Sequence, residues 1–435
     1  KRVRDNITTV VGAGMNRLPL IIVASLTLAF LAASSARPQS PPIRSSEPAE
    51  GGAVKSGLEV FLRQPPAAVI GKRIGLITNP SGLDPALRSG ADLLAARTDF
   101  RLVALFGPEH GVRGDAASRL GDARDPKTHL PVYSLYGKTL SPTPAMLNGI
   151  DALVFDIQEI GARFYTYTST MALAMQAAAA KGIPFVVLDR PNPLGGEMVA
   201  GPVLDPQWKS FIGMYPLPIL HGMTIGELAR LFNQEYDINA NLIVVPMDGW
   251  RRSMWFDDTG LPWVMTSPGI PHFHTAMLYP AMGAIGDTNL STGGLTSKPF
   301  EFVGQTFVEP WRLRAALEER HIGGVAFREA FWRGKPWLAS GGPEYRGVEI
   351  RITDRVAYRP MDLMLQVLDV IRRAYPFTFH WGDSYKGSYV FDLDMGTDQV
   401  RRMLIAGRSP AEIEKSWEPG LERFRALRAK YLLYP

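Results

Sequence analysis

Short apolar runs that alternate with helical stretches restrict this chain more than any other feature. Residues 73–78, 101–106, 151–155, 183–188 and 241–245 are rich in Val, Ile and Leu and are bounded by Gly, Pro or Asn, the pattern of buried strands. Between them, Thr143-Pro144 supplies an N-cap and a proline at the first helical position. Residues 168–181 are rich in Ala and Met and stop at Gly182, a residue type favoured just past a helix end. Thr224-Ile225-Gly226-Glu227 reads as a capping box opening a helix through Tyr236. This order predicts βαβ units, a parallel sheet and an α/β domain over residues 54–250. Residues 250–300 are loop-heavy, with many Pro, Gly and Trp. A strand over 347–353, a helix over 361–375 and two helices within 398–430 predict a smaller α+β domain over 251–435. No internal repeat stands out.

The first part of the chain reads differently. Met15-Asn16-Arg17 precedes an apolar run from Leu18 to Ala33, and Ser34-Ser35-Ala36 comes next, the three parts of a secretory signal. The run is about sixteen residues, short of the roughly 20 needed to span a bilayer. Residues 1–36 are therefore expected to be a signal peptide with an upstream extension. Residues 37–53, rich in Pro, Ser, Gly and Glu, are expected to be a flexible linker. The leader implies export to the periplasm or beyond, with no stable membrane anchor after cleavage. It also carries +3 of the formal charge of +5, so the remaining chain gives no electrostatic reason to expect a nucleic-acid partner. With no cysteine, disulfides, thiolate metal sites, a cysteine nucleophile and a lipidated cysteine are excluded.

The polar residues just past each strand form the most informative pattern. The first strand runs into Asn79-Pro80-Ser81-Gly82, and the second into Gly107-Pro108-Glu109-His110-Gly111, then Arg113 and Asp115. The third ends in Asp156-Ile157-Gln158, with Arg163, Tyr165 and Tyr167 beyond. The fourth ends in Asp189-Arg190-Pro191-Asn192. Open parallel sheets bind ligands outside the carboxyl ends of their strands, so these residues are expected to line one crevice. Glu109, on a tight loop where partial burial would raise its carboxyl, is the candidate general acid/base. His110 either orients Glu109 or bonds to backbone. Asp156 and Asp189 either position sugar hydroxyls, act as a second carboxylate, or cap and staple loops. Arg113, Arg163 and Arg190 suit a substrate carboxylate, or pair with neighbouring acids. If their segment is extended, one of Tyr165 and Tyr167 faces the crevice and the other the core.

Other signatures are missing: no G-x-S-x-G elbow, no H-E-x-x-H and no Walker loop. His272-Phe273-His274 is too short to argue for zinc, and neither a metal nor a cofactor is expected. Trp250, Trp255 and Trp263 suit either stacking on a sugar or core packing.

The strand-end motifs resemble one family closely. Leu76-Ile77-Thr78-Asn79-Pro80-Ser81-Gly82, residues 106–115, Pro131-Val132-Tyr133-Ser134-Leu135-Tyr136-Gly137, residues 155–167 and 188–196, His221-Gly222-Met223-Thr224 and Pro299-Phe300-Glu301 are similar to the exo-β-N-acetylmuramidases. The likeness runs from about Gly57 to Tyr434. It implies a Rossmann-like domain, a smaller C-terminal domain and an active-site cleft between them. It also implies a glycoside hydrolase that releases N-acetylmuramic acid from the non-reducing end of peptidoglycan fragments. Glu109 matches the family's catalytic glutamate, and a functional tyrosine falls within residues 163–167. With the other strand-end groups, Asn79, Gln158, Asn192 and His221 become candidate substrate contacts. Two departures stand out: residues 291–298 lack the arginine of the Gly-Arg-Gly-Thr stretch that often precedes Pro-Phe-Glu, and Gly269 stands where Asn is common. Two other readings remain for the residues: a periplasmic binding protein for an acidic amino sugar, and a metal-dependent hydrolase using Asp156, Asp189 and His221. No feature of the chain specifies an oligomeric state.

Overall fold

A computed structural model describes residues 53–114, 123–294, 296–334, 342–385 and 387–435. The expected signal peptide, nearly all of the expected linker, and Asp115 lie outside the described residues. No helix among the described residues is long and apolar enough to cross a membrane.

The first half contains α1 (Gly57–Arg63), β1 (Arg73–Thr78), α2 (Gly90–Ala95), β2 (Arg101–Gly107), β3 (Ala123–Arg124), β4 (Pro131–Ser134), β5 (Ala152–Asp156), α3 (Tyr167–Lys181), β6 (Phe185–Leu188), α4 (Ile225–Glu235) and β7 (Leu242–Val245). The seven strands form one sheet in the order β3-β4-β2-β1-β5-β6-β7, parallel throughout except for β3 against β4. Alternate residues feed two cores. Ile74, Leu76, Val154, Val186 and Leu188 pack with Leu58, Phe61 and Leu94 on the α1/α2 face. Ile77, Leu153, Phe155, Phe185 and Val187 join Met171, Met175 and Leu228 on the α3/α4 face. Burial on both faces explains why these strands read as continuous apolar runs.

Chain order reverses direction between β1 and β5, which are neighbours in the sheet but far apart in sequence. That reversal is a topological switch point, where a crevice opens beyond the strand ends. Close packing shapes it: a Cβ on Gly82 would lie 2.2 Å from Thr78 Oγ1 and 3.0 Å from the Asp156 carbonyl.

The second half holds α5 (Phe273–Gly286), β8 (Phe302–Gln305), α6 (Pro310–Glu318), β9 (Val325–Arg333), β10 (Glu344–Ile352), α7 (Pro360–Ala374), a short hairpin β11 (Ser384–Tyr385) and β12 (Ser388–Tyr389), α8 (Val390–Met395), α9 (Gln399–Ile405) and α10 (Pro410–Arg428). β8, β10 and β9 form an antiparallel sheet. The fold is therefore α/β, a mostly parallel sheet followed by a smaller unit of antiparallel strands and helices.

Most local expectations match, and three do not. The helix starting at Thr143-Pro144 is absent: Thr143 Oγ1 accepts from the Met146 N–H at 3.3 Å, but the chain makes only turns before Gly149 at φ +76°. Within the loop-heavy 250–300 region, α5 forms in spite of Pro280 inside it. Helices rarely carry an interior proline, and here that residue masks a helix held by burial of Leu278, Ala281, Met282 and Ile285. The third is the tyrosine pair: Tyr167 is the first residue of α3, so residues 165–167 are not extended.

Candidate active site

The β2 loop turns tightly, with the Gly111 N–H donating to the Pro108 carbonyl at 3.0 Å. His110 and Gly111 both adopt left-handed backbone, at φ +71° and +76°. That conformation is natural for Gly111 and costs His110 about 1–2 kcal/mol. It leaves Glu109 and His110 half-buried just past the end of β2. His110 Nδ1 is buried without a hydrogen-bond partner. Glu109 Oε2 accepts from Thr166 Oγ1 at 3.4 Å.

Beside this loop, one residue gathers three side chains. The Tyr165 hydroxyl lies 2.7 Å from Thr266 Oγ1, the Tyr167 hydroxyl donates to the Thr266 carbonyl at 2.7 Å, and Asn79 Nδ2 donates to the same carbonyl at 3.1 Å. The two rings meet edge to face at 4.8 Å, and both are buried in the core on the α3/α4 face of the sheet. Burial pushes Tyr165 up to about 12 and Tyr167 well above the ordinary tyrosine value. Both hydroxyls stay protonated near neutrality. The charge of Glu109 acts on each ring, which places all three in one electrostatic neighbourhood.

The other strand ends are tied together. Asp156 and Arg190 form a buried two-point pair, at 2.6 and 2.9 Å. Ser81 Oγ accepts from the Gln158 N–H at 3.0 Å and donates to Asn79 Oδ1 at 2.5 Å. The Gln158 amide donates to the Glu159 and Pro191 carbonyls. Ser81, Gln158 and Arg190 line a small cavity of about 20 Å³, with Phe256 and Trp263 also in its wall.

Five candidate residues are engaged elsewhere. Arg113 is held by Asp125 and Asp92, at 2.8 and 2.7 Å. Arg163 is fully buried and donates to the Pro202, Leu217 and Asp394 carbonyls; burial lowers it to about 9. Asp189 caps α4 through Thr224 Oγ1 and the Gly226 N–H, both at 2.7 Å, and accepts from the Tyr434 hydroxyl at 2.5 Å. Burial raises its carboxyl to about 7. Asn192 folds its own loop, accepting from the Leu194 N–H and donating to the Met223 carbonyl. His221 accepts from the Met223 N–H and, lowered to about 3 by burial, is neutral. Of the two fates open to the arginines, Arg113 and Arg190 pair with acids, while Arg163 holds backbone carbonyls and leaves its Nε without a partner. Asp156, Asp189 and His221 likewise have separate partners, and no three His, Cys, Asp or Glu side chains among the described residues are grouped to share a metal ion. Trp250 is buried against Tyr434.

Sequence reasoning missed Thr266, Ser81 and Glu159. Ser81 sits in the Asn79–Gly82 motif at the end of β1, but Thr266 lies in a loop with no local signal. Glu159 is fully buried and raised to about 8 by burial, with its Oε2 3.7 Å from His221 Nε2.

Comparison with known proteins adds chemistry to this geometry. Residues 74–274 match the family model described as exo-beta-N-acetylmuramidase NamZ, N-terminal, and residues 277–434 match its C-terminal counterpart. A peptidoglycan beta-N-acetylmuramidase NamZ of Bacillus subtilis (strain 168) is 46% identical over 406 residues, 93% of this chain and 96% of that protein. Two crystal structures of DUF1343 family proteins from Bacteroides fragilis NCTC 9343 are similar. One has a TM-score of 0.82 at 40% identity, the other 0.68 at 29%, and each alignment covers 88% of this chain and 99% of the other. The chain thus belongs to the NamZ family of exo-β-N-acetylmuramidases, and it is a glycoside hydrolase.

Proposed function

We propose that this enzyme removes N-acetylmuramic acid from the non-reducing end of peptidoglycan fragments, with Glu109 as the general acid/base. One observation carries the assignment. Of Glu109, Asp156 and Asp189, only Glu109 is half-exposed and, among the described residues, without a cation or a backbone donor. Asp156 is neutralised by Arg190, and Asp189 is capped by four donors. A group that must exchange a proton with a glycosidic oxygen needs that freedom. Protonated, Glu109 donates to the leaving oxygen; ionised, it draws a proton from water. Tyr165 and Tyr167, neutral and fixed on Thr266, offer rigid polar walls beside it. His110, with one ring nitrogen unpartnered, is the nearest group in sequence to orient the Glu109 carboxyl.

A noncatalytic binding role for the crevice does not agree with membership of a glycoside hydrolase family. The apolar leader supports a further part of the reading, namely export to where peptidoglycan lies. Incubation of the protein with a chromogenic β-N-acetylmuramide and the matching β-N-acetylglucosaminide tests the reaction. Release from the muramide is expected; folded protein that releases nothing from it contradicts the proposal.

A further inference from the structure

Three tyrosines feel the charge of Glu109: Tyr165, Tyr167 and Tyr279. The first two spend their hydroxyls on Thr266. Tyr279, on α5, has no hydrogen-bond partner for its hydroxyl among the described residues, although burial keeps that hydroxyl protonated. Its half-buried ring meets Tyr165 edge to face at 5.7 Å, Phe164 at 5.3 Å and Phe300 edge to face at 4.9 Å. It therefore brings a free donor from the second half of the chain into the neighbourhood of Glu109.

Phe300 is placed there at a cost. Its φ of +62° is unusual for a bulky residue, and such strain persists only where the surroundings impose it. The Phe300 N–H donates to the Thr292 carbonyl at 2.7 Å, and the next residue, Glu301, accepts from Thr275 of α5 at 3.4 Å. The result is a half-exposed aromatic ring beside one unpaired hydroxyl. Glu109 already brings a carboxyl into that neighbourhood, so a second carboxylate such as a lactyl group is a poor acceptor there. A neutral carbonyl with a methyl group attached fits both parts: the carbonyl accepts a hydrogen bond and the methyl packs on aromatic carbon.

We propose that Tyr279, with Phe300 beside it, recognises the 2-acetamido group of the sugar, the hydroxyl donating to the acetamido carbonyl and the rings enclosing its methyl. The proposal rests on the reading that the sugar is cleaved beside Glu109. Calorimetric titration of the full chain and of Tyr279→Phe, each with N-acetylmuramic acid and with 3-O-lactylglucose, tests it; the second sugar carries a hydroxyl where the first carries acetamido. Tyr279→Phe removes only a hydroxyl that has no protein partner, so its Tm is expected to match the parent within about 2 °C. Its affinity for N-acetylmuramic acid is expected to fall about tenfold while that for 3-O-lactylglucose stays within about twofold. With the chromogenic muramide, KM should rise by a similar factor and kcat should change little. Equal losses on both sugars, or no loss on either, overturn the proposal. Full turnover in Glu109→Gln would instead overturn the reading on which it rests, and the ratio of the two affinities would still judge Tyr279.

Discussion

Thr266 joins the two halves of the site through one hydroxyl and one carbonyl, so its two functions can be separated by mutation. Thr266→Val keeps the carbonyl that serves Tyr167 and Asn79 and removes one hydroxyl partner of the buried Tyr165 hydroxyl. We expect a stability loss of about 1–3 kcal/mol by urea denaturation, with a lower kcat/KM because Tyr165 is no longer fixed. Arg163 is the contrasting residue. Its position after a strand made it a candidate for binding a carboxylate, yet it holds three backbone carbonyls together in the core. Arg163→Met should therefore cost about 3 kcal/mol or more, again by denaturation. Sequence alone could not separate these fates. Glu109, Tyr165 and Arg163 all lie just past strands, and what distinguishes them is which donors and acceptors long-range folding brings within 3 Å or so.

At the level of elements, the strand and helix signals were legible where local chemistry was strong. The capping box at Thr224 forms as read, with the Glu227 N–H donating to Thr224 Oγ1 at 3.2 Å and the Thr224 N–H donating to Glu227 Oε2 at 3.0 Å. Gly182 ends α3 in left-handed backbone, as its sequence position suggests. Interior Pro280 concealed α5, the helix that carries Tyr279, and Thr266 sits in a loop whose course is set by tertiary contacts. Half of the crevice was thus hidden from a reading by strand ends. Buried Glu159 belongs to this scale, because the β5 loop brings its Oε2 to 3.7 Å from His221 Nε2 in the segment before α4. Glu159 is raised from 4.5 to about 8, so its contribution to stability is complete below pH 4.5 and is lost as pH rises through 8. His221, lowered from 6.5 to about 3, has the opposite sign, and its contribution is lost as pH falls through 3. Glu159→Gln should accordingly show a smaller fall in Tm between pH 5 and 8.5 than the parent. Parallel Tm curves would remove Glu159 from this account.

Across the whole molecule, the end of the chain returns to the sheet it left. Tyr434 donates to Asp189 and accepts from the Met247 N–H at 2.9 Å, while Leu433 donates to Glu227 at 2.8 Å. Tyr434→Phe removes one of the donors to a buried carboxyl, and a loss of about 1–3 kcal/mol is expected by thermal or chemical unfolding. The same wrapping explains why the family likeness extends nearly to the last residue: the tail is part of the packing at the strand ends. At the other end, the proposed export predicts that protein recovered from outside the inner membrane begins just after Ala36, which N-terminal sequencing reads directly. The central claim, that Glu109 moves the proton, meets its most direct test in Glu109→Gln assayed on the chromogenic β-N-acetylmuramide alongside its Tm. A fall in kcat of about 10²–10⁴-fold with an unchanged Tm is predicted, and a kcat equal to the parent's would contradict the account.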